Sequence, residues 1–137
     1  LNIHAQYTKQ TGKEADMRSL KFGIAFILVL LTAVAFAWKP GDRVLGQWSD
    51  GLWYPAKIAG VTGADFNISF DDGDTAVLPA SKIRRIDWKV GTRVECNWKR
   101  GGVYYRGTIT KIQGEAIHIS YVDGDQEDST ISICRSR

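Results

Sequence analysis

One pattern occurs twice in this chain, and the repeat limits what it can fold into. Lys39–Trp48 reads KPGDRVLGQW and Lys89–Trp98 reads KVGTRVECNW, fifty positions later. Ile68–Asp74, ISFDDGD, returns as ISYVDGD at Ile119–Asp125, fifty-one positions later. One residue inserted in the turn after the Trp accounts for the change of offset. A period of about fifty residues is the signature of a small domain present in tandem. The repeated positions are mostly aromatic, acidic or Gly, types that build a binding site more readily than they fill a core.

The repeat begins only near residue 38. Before it, Met17-Arg18-Ser19-Leu20-Lys21 is basic, and Phe22–Ala37 is apolar except for Thr32 and the helix-weakening Gly23, ending in Ala35-Phe36-Ala37. A basic start, an apolar helical middle and a small-x-small exit describe a secretory signal peptide over residues 17–37, with cleavage expected after Ala37 and a secreted or periplasmic product. The alternatives are an uncleaved membrane anchor, for which a stretch of about 16 residues is short against the roughly 20 a span requires, and a buried core helix. Residues 1–16 are polar, have no apolar period, and read as an upstream segment outside the fold.

Setting the leader aside changes the charge. The whole chain carries 18 Lys and Arg against 15 Asp and Glu. Residues 1–37 hold four of the basic residues (Lys9, Lys13, Arg18, Lys21) and two of the acidic ones (Glu14, Asp16), which leaves 14 against 13 in the remaining 100. A nearly neutral pair of domains lacks the footprint of a strong nucleic-acid binder. The local run Lys82-Ile83-Arg84-Arg85 reads either as a basic patch or as a solvated strand end with Ile83 turned inward. Cys96 and Cys134 both fall in the second repeat, and in an exported protein an even count favours a disulfide over two buried thiols. They stand in the first and last strands of that repeat, which are neighbours in a small barrel. The closed loop of 38 residues would stabilise by roughly 3–4 kcal/mol in the chain-entropy model.

Neither repeat contains an amphipathic helix; each is a series of short alternating runs cut by turn residues. In residues 38–87 the expected strands are Arg43–Trp48, Trp53–Val61, Phe66–Phe70, Thr75–Leu78 and Ile83–Ile86, with a helical turn at Pro79–Ser81. In residues 88–137 they are Thr92–Trp98, Val103–Ile112, Ala116–Tyr121, Gln126–Ser129 and Ile131–Cys134. Asp71-Asp72-Gly73-Asp74 is a hairpin turn in which Gly supplies the positive φ. Five short strands in about fifty residues make a small, strongly bent barrel that reduces exposed edges by near-closure. The fold class is therefore all-β, with two five-stranded barrels in tandem after the leader. The short link Ile86–Lys89 implies that the barrels pack together, with Trp88 and Trp38 either at that junction or covering a barrel end.

Catalysis finds little support. His118 is the only histidine beyond residue 37, and it alternates with Ile117 and Ile119, which turns it outward. No Ser or Cys stands in a base-and-orienter pattern. There is no phosphate-binding Gly loop and no metal-spaced His/Cys set. The Asp71–Asp74 turn offers too few oxygens for Ca²⁺. No enzyme activity, metal or cofactor is expected.

The aromatics are more informative. Trp48 ends the first strand, Tyr54 lies at the start of the second, Phe70 ends the third, and Asp72 and Asp74 sit on the adjoining turn. Loops at one barrel end would gather them into a pocket of ring faces with a carboxylate on its wall. Such a pocket suits a methylated ammonium or guanidinium, each good cation–π contact contributing about 0.5–2 kcal/mol. The second repeat offers Trp98, Tyr105, Tyr121, Asp123 and Asp125 at matching positions.

With these residues in place, VLGQWSDGLWYPAKI…FNISFDDGD resembles a Tudor domain, and VECNWKRGGVYYRGTI…IHISYVDGD resembles a second, so that the likeness covers residues 38–137. The resemblance implies two SH3-like barrels, residues 38–87 and 88–137, and aromatic cages of the kind that bind methyl-lysine or methyl-arginine. It places Trp48, Tyr54, Phe70 and Asp72 at cage positions of the first, and Trp98, Tyr105, Tyr121 and Asp123 at those of the second. Many such readers carry another aromatic after the turn Gly, where this chain has Asp74 and Asp125, and that implies a more open, acidic cage for a less methylated or differently shaped cation. With an export leader, the expected partners are a methylated protein or peptide, at a cell surface or in a host, or a small quaternary-ammonium molecule. Two other readings stay open: a structural or protein-interaction module whose aromatics pack the barrel, and a nucleic-acid or polysaccharide binder using Trp53 and Tyr104 as stacking platforms.

Overall fold

A computed structural model describes residues 38–137 as one compact unit. The upstream segment 1–16 and the leader 17–37, with the expected cleavage after Ala37, lie outside the described residues.

Ten strands form two five-stranded antiparallel sheets. The first sheet contains β1 (Arg43–Gln47), β2 (Trp53–Thr62), β3 (Asp65–Phe70), β4 (Thr75–Leu78) and β5 (Ile83–Arg84), in the order β4-β3-β2-β1-β5. The second contains β6 (Arg93–Asn97), β7 (Tyr104–Gln113), β8 (Ala116–Tyr121), β9 (Gln126–Thr130) and β10 (Cys134–Arg135), in the equivalent order β9-β8-β7-β6-β10. Both long strands slip register at the same place, between Ile58 and Gly60 in β2 and between Ile109 and Lys111 in β7. A bulge there bends a ten-residue strand.

Strict alternation turns Phe66, Ile68 and Phe70 inward in β3, and Ile117, Ile119 and Tyr121 inward in β8. With Val44, Ala56, Ile58, Leu78 and Ile83 the first set forms one core. The second packs with Val94, Cys96, Ile109, Ile131, Ile133 and Cys134. Trp38 lies partly buried against the first core, whereas Trp88 is buried in the second.

Several expected strands end differently. The strand read as Thr92–Trp98 stops at Asn97, and Trp98 opens a 3-10 turn, Trp98–Arg100, whose Lys99 and Arg100 have φ of 49° and 56°. The extra residue of this connection is absorbed in left-handed backbone that periodicity does not register. The run read as a strand over Ile131–Cys134 is a 3-10 turn, Ile131–Ile133, leading into β10, just as Ala80–Lys82 leads into a β5 shorter than the expected Ile83–Ile86. Both Ile131 and Ile133 are buried by that turn, so the apolar run reflects a core contact rather than ladder pairing. Cys134 faces Cys96 across the β10–β6 pair, and the two form a disulfide.

The barrels are joined along β1, β2 and β10. Ser136, just beyond β10, exchanges backbone hydrogen bonds with Trp53 at the start of β2, at 2.9 and 3.0 Å. Trp88 donates its indole N–H to Ser136 Oγ at 3.3 Å. Leu45 of β1, with no exposed surface, belongs to the second barrel's core. At the edge of this junction Arg43 holds Asp71 through two hydrogen bonds, of 2.6 and 2.8 Å, and Glu115 of the second barrel through Nε at 2.6 Å. Ser132 adds a 2.6 Å hydrogen bond to Asp71. Burial alone would raise the Asp71 pKa, but the Arg43 guanidinium, the Ser132 hydroxyl and Lys57 outweigh it and hold the carboxyl below its usual range.

Candidate functional site

The first barrel's aromatic residues surround a cavity of about 230 Å³ lined by Trp48, Asp50, Tyr54, Phe70, Asp72, Asp74 and Tyr104. Local structure positions each wall. Phe70 ends β3 with its ring in the core, 4% exposed, and lies over Gly46, where an added Cβ would stand 3.0 Å from the ring. Trp48 meets Phe70 edge to face at 5.3 Å between centroids, and Tyr54 does so at 6.4 Å. The Asp71–Asp74 turn is fixed by Gly73 at φ 97°, by Phe70 N–H donating to the Asp74 carbonyl, and by Asp74 N–H donating to Asp72 Oδ1 at 3.0 Å. These bonds leave the second oxygen of Asp72 uncommitted among the described residues.

Two walls escaped the sequence reading. Asp50 comes from the Ser49-Asp50-Gly51 turn and accepts the Tyr54 hydroxyl at 2.7 Å. Tyr104 comes from the second barrel. Arg135 of β10 stacks on Tyr104 at 4.0 Å from the ring centroid and donates to the Tyr54 hydroxyl at 3.0 Å, while its Nε donates to Glu95 at 3.1 Å. A chain of polar contacts thus runs from Glu95 through Arg135 and Tyr54 to Asp50, tying the pocket of one barrel to the frame of the other. Burial first, and then the bond to Asp50, push the Tyr54 phenol up to about 12 against the opposing effect of Arg135. Burial also raises Tyr104, and the carboxylates Asp72 and Asp50 reinforce that direction while Arg135 opposes it. The phenols therefore stay neutral at physiological pH.

In the second barrel the matching residues are arranged differently. Trp98 and Tyr105 meet edge to face at 6.5 Å. Tyr121, the counterpart of Phe70, is 4% exposed and spends its hydroxyl on Glu127 at 2.7 Å. Burial and that carboxylate hold its pKa well above the usual phenol value. Glu127 also accepts the Lys99 backbone N–H at 3.0 Å, and the Lys99 ammonium lies 4.6 Å over the Trp98 ring. One face of the Trp98 ring is thus covered by the chain's own cation. Tyr105 is 45% exposed, and Asp123 accepts Asp125 N–H at 3.0 Å, repeating the turn of the first barrel.

The remaining candidates separate cleanly. Trp53 has the Arg84 guanidinium 4.2 Å from its ring, the counterpart of Arg135 on Tyr104, so both proposed stacking platforms carry an arginine of the same chain. Within Lys82–Arg85, Ile83 is buried and Arg84 is turned onto Trp53, which divides the basic run. His118 bonds Asp128 at 2.6 Å and Gln126 at 3.0 Å on the neighbouring strand. Those two hydrogen bonds, Asp128 first, raise its pKa.

No protein-family model and no curated protein matches the chain. Among solved structures it is similar to the tandem tudor domains of Crb2, at 18% identity over 74% of this chain and 81% of that one, with a TM-score of 0.51. It is also similar to Arabidopsis thaliana AGDP1 AGD34, at 15% identity over 72% and 82% of the two chains with a TM-score of 0.37. ADCP1 tandem Agenet domain 3-4 follows at 15% identity over 72% and 79%, with a TM-score of 0.35. From the strand order, the repeated bulge and the Crb2 superposition, residues 38–137 have the fold of a tandem Tudor domain.

Proposed function

We propose that the protein is a non-enzymatic binding module that captures a methylated ammonium or guanidinium group in the first barrel. The observation that carries this reading is the cavity itself, with rings of Trp48, Tyr54, Phe70 and Tyr104 beside carboxylates of Asp50, Asp72 and Asp74. Ring faces attract a desolvated cation, and carboxylates accept whatever N–H the cation retains. Three acids around one pocket therefore favour a mono- or dimethylated group over a trimethylated one, which has no N–H to give. The leader-like stretch Met17–Ala37 supports export, and the ligand is then outside the cell, on a methylated protein or peptide; a small quaternary-ammonium molecule, with no N–H to give, is the weaker candidate.

The test is an NMR titration of the tryptophan indole N–H signals with mono-, di- and trimethyl-lysine, dimethyl-arginine and choline. Selective movement of Trp48, with Trp98 still and plain lysine silent, is the expected outcome. A flat response to every cation at millimolar concentration would sink the reading. The burial of Phe70 favours a second one, in which these aromatics serve packing. In that case Trp48→Ala lowers the melting temperature sharply and there is no ligand to lose.

A further inference from the structure

We propose that the outer face of β6 and β7 is a docking site for an acidic segment of another protein. On the first barrel, Arg43 stands at the first position of β1, opposite Lys57, and receives Glu115 and the Asp71–Ser132 pair at the barrel junction. On the second barrel, Arg93 stands at the first position of β6, opposite Thr108. The place of Asp71 is taken by Val122, which is 82% exposed. Among the described residues neither Arg93 nor Arg106 forms an ion pair. The face that meets a carboxylate in one repeat is thus open, and still basic, in the other.

This face borders a groove of about 870 Å³ lined by Arg84, Arg93, Arg106 and Arg137 against only two carboxylates, Asp87 and Glu95. Glu95 is already engaged by Arg135 at 3.1 Å and by Arg137 at 3.8 Å. The groove therefore holds a surplus of positive charge in a molecule that is otherwise almost neutral. Arg84, in the same groove, is turned onto Trp53 and donates to Ser136 Oγ at 3.2 Å and to the Arg137 carbonyl at 3.4 Å, neutral partners that leave its charge uncompensated. Carboxylates match the forked donors of arginine.

The occupant follows from the internal precedent. What the first barrel receives is a glutamate on a tight turn with a serine hydroxyl beside it, both from protein. A second copy of this chain is a poorer fit, because its own first-barrel turn carries Ala64 where Glu115 stands. An acidic protein segment supplies what both are missing.

The test is a titration of the protein with a blocked hexapeptide of alternating Glu and Ser, followed by the backbone signals of Thr92, Val122 and Arg106. Saturable shifts confined to this face, weakened roughly tenfold by Arg93→Glu and reduced by added salt, are expected. The Arg93→Glu variant must keep the amide spectrum of the rest of the fold, and Arg106→Glu serves as the second variant should it not. The proposal is overturned by no shift at millimolar peptide, by binding indifferent to both charge reversals, or by tighter binding of an oligothymidylate of equal charge. Concentration-dependent self-association through this face would also overturn it, assigning the face to a second copy. Titration of Trp48 with methylated lysines is read separately, so that the two sites fail or stand independently.

Discussion

The two barrels share strand order, bulge and turn chemistry, and differ on the face that flanks their first strands. On the first barrel that face carries Leu45, Pro55 and Trp53 and is covered by the end of the second. On the second the equivalent positions are Glu95, Arg106 and Tyr104. Apolar residues appear where a neighbour excludes water, and charged ones where it does not. The same contrast reaches the aromatic sites. The first cavity is completed by Tyr104 across the junction, whereas the second barrel covers Trp98 with its own Lys99. The two repeats are thus unequal, and the first, whose face the end of the second covers, has the cavity.

Exchanging residues between equivalent positions breaks this comparison most severely at Leu45. Giving it the residue of its counterpart, Leu45→Glu, places a carboxylate in a fully buried apolar site, with an expected loss of about 4 kcal/mol or failure to fold, measured by urea denaturation. Next comes the junction arginine. Arg43→Met strands the largely buried side chain of Asp71 and returns Glu115 to solvent, and a loss of about 1–2 kcal/mol is expected, while Arg93→Met stays within about 0.5 kcal/mol of the parent in the same assay. Equal effects would erase the distinction drawn between the two faces. Smaller again is the contribution of the wall in trans. Tyr104→Leu keeps bulk but removes a ring, and should weaken a methylated cation roughly fivefold by calorimetry, with Tyr105→Leu neutral.

The smallest effect is the pH response of His118. Its folded pKa is raised by the hydrogen bonds to Asp128 and Gln126. A raised value means that protonation favours the folded state. This contribution is fully present below the ordinary value near 6.5 and is lost as pH rises through the folded one. His118→Gln should flatten the stability profile as pH rises above the ordinary histidine value near 6.5; an unchanged slope would show the hydrogen bonds to be inconsequential.

What the sequence made legible was whatever is local to one repeat. Strands, turns and the grouping of Trp48, Tyr54, Phe70, Asp72 and Asp74 follow from alternation and from loops that meet at one barrel end, because each residue is placed by its own hairpin. Tyr104 was not legible as a wall of that pocket. Its position depends on how two barrels dock, and the period of fifty carries no information about docking. Asp50 does not stand out, because a Ser-Asp-Gly turn explains itself without a ligand. Lys99 was missed because the inserted residue after Trp98 acts through two left-handed backbone conformations, which a residue pattern without a second glycine at those positions does not announce. The 3-10 turn Ile131–Ile133 was read as strand for a similar reason: buried isoleucines satisfy either geometry.

The position of the disulfide reaches further than the barrel it closes. Cys134 and Arg135 are the two residues of β10, so the bond to Cys96 anchors the strand whose next residues hold Tyr54, stack on Tyr104 and pair with Trp53. A ligand that needs those rings in place favours the oxidised chain, and by reciprocity oxidation favours the ligand. A tenfold difference in affinity between the two forms would move the thiol–disulfide couple by about 30 mV. Occupancy of the first barrel and the redox state of the second would then be two readings of a single equilibrium.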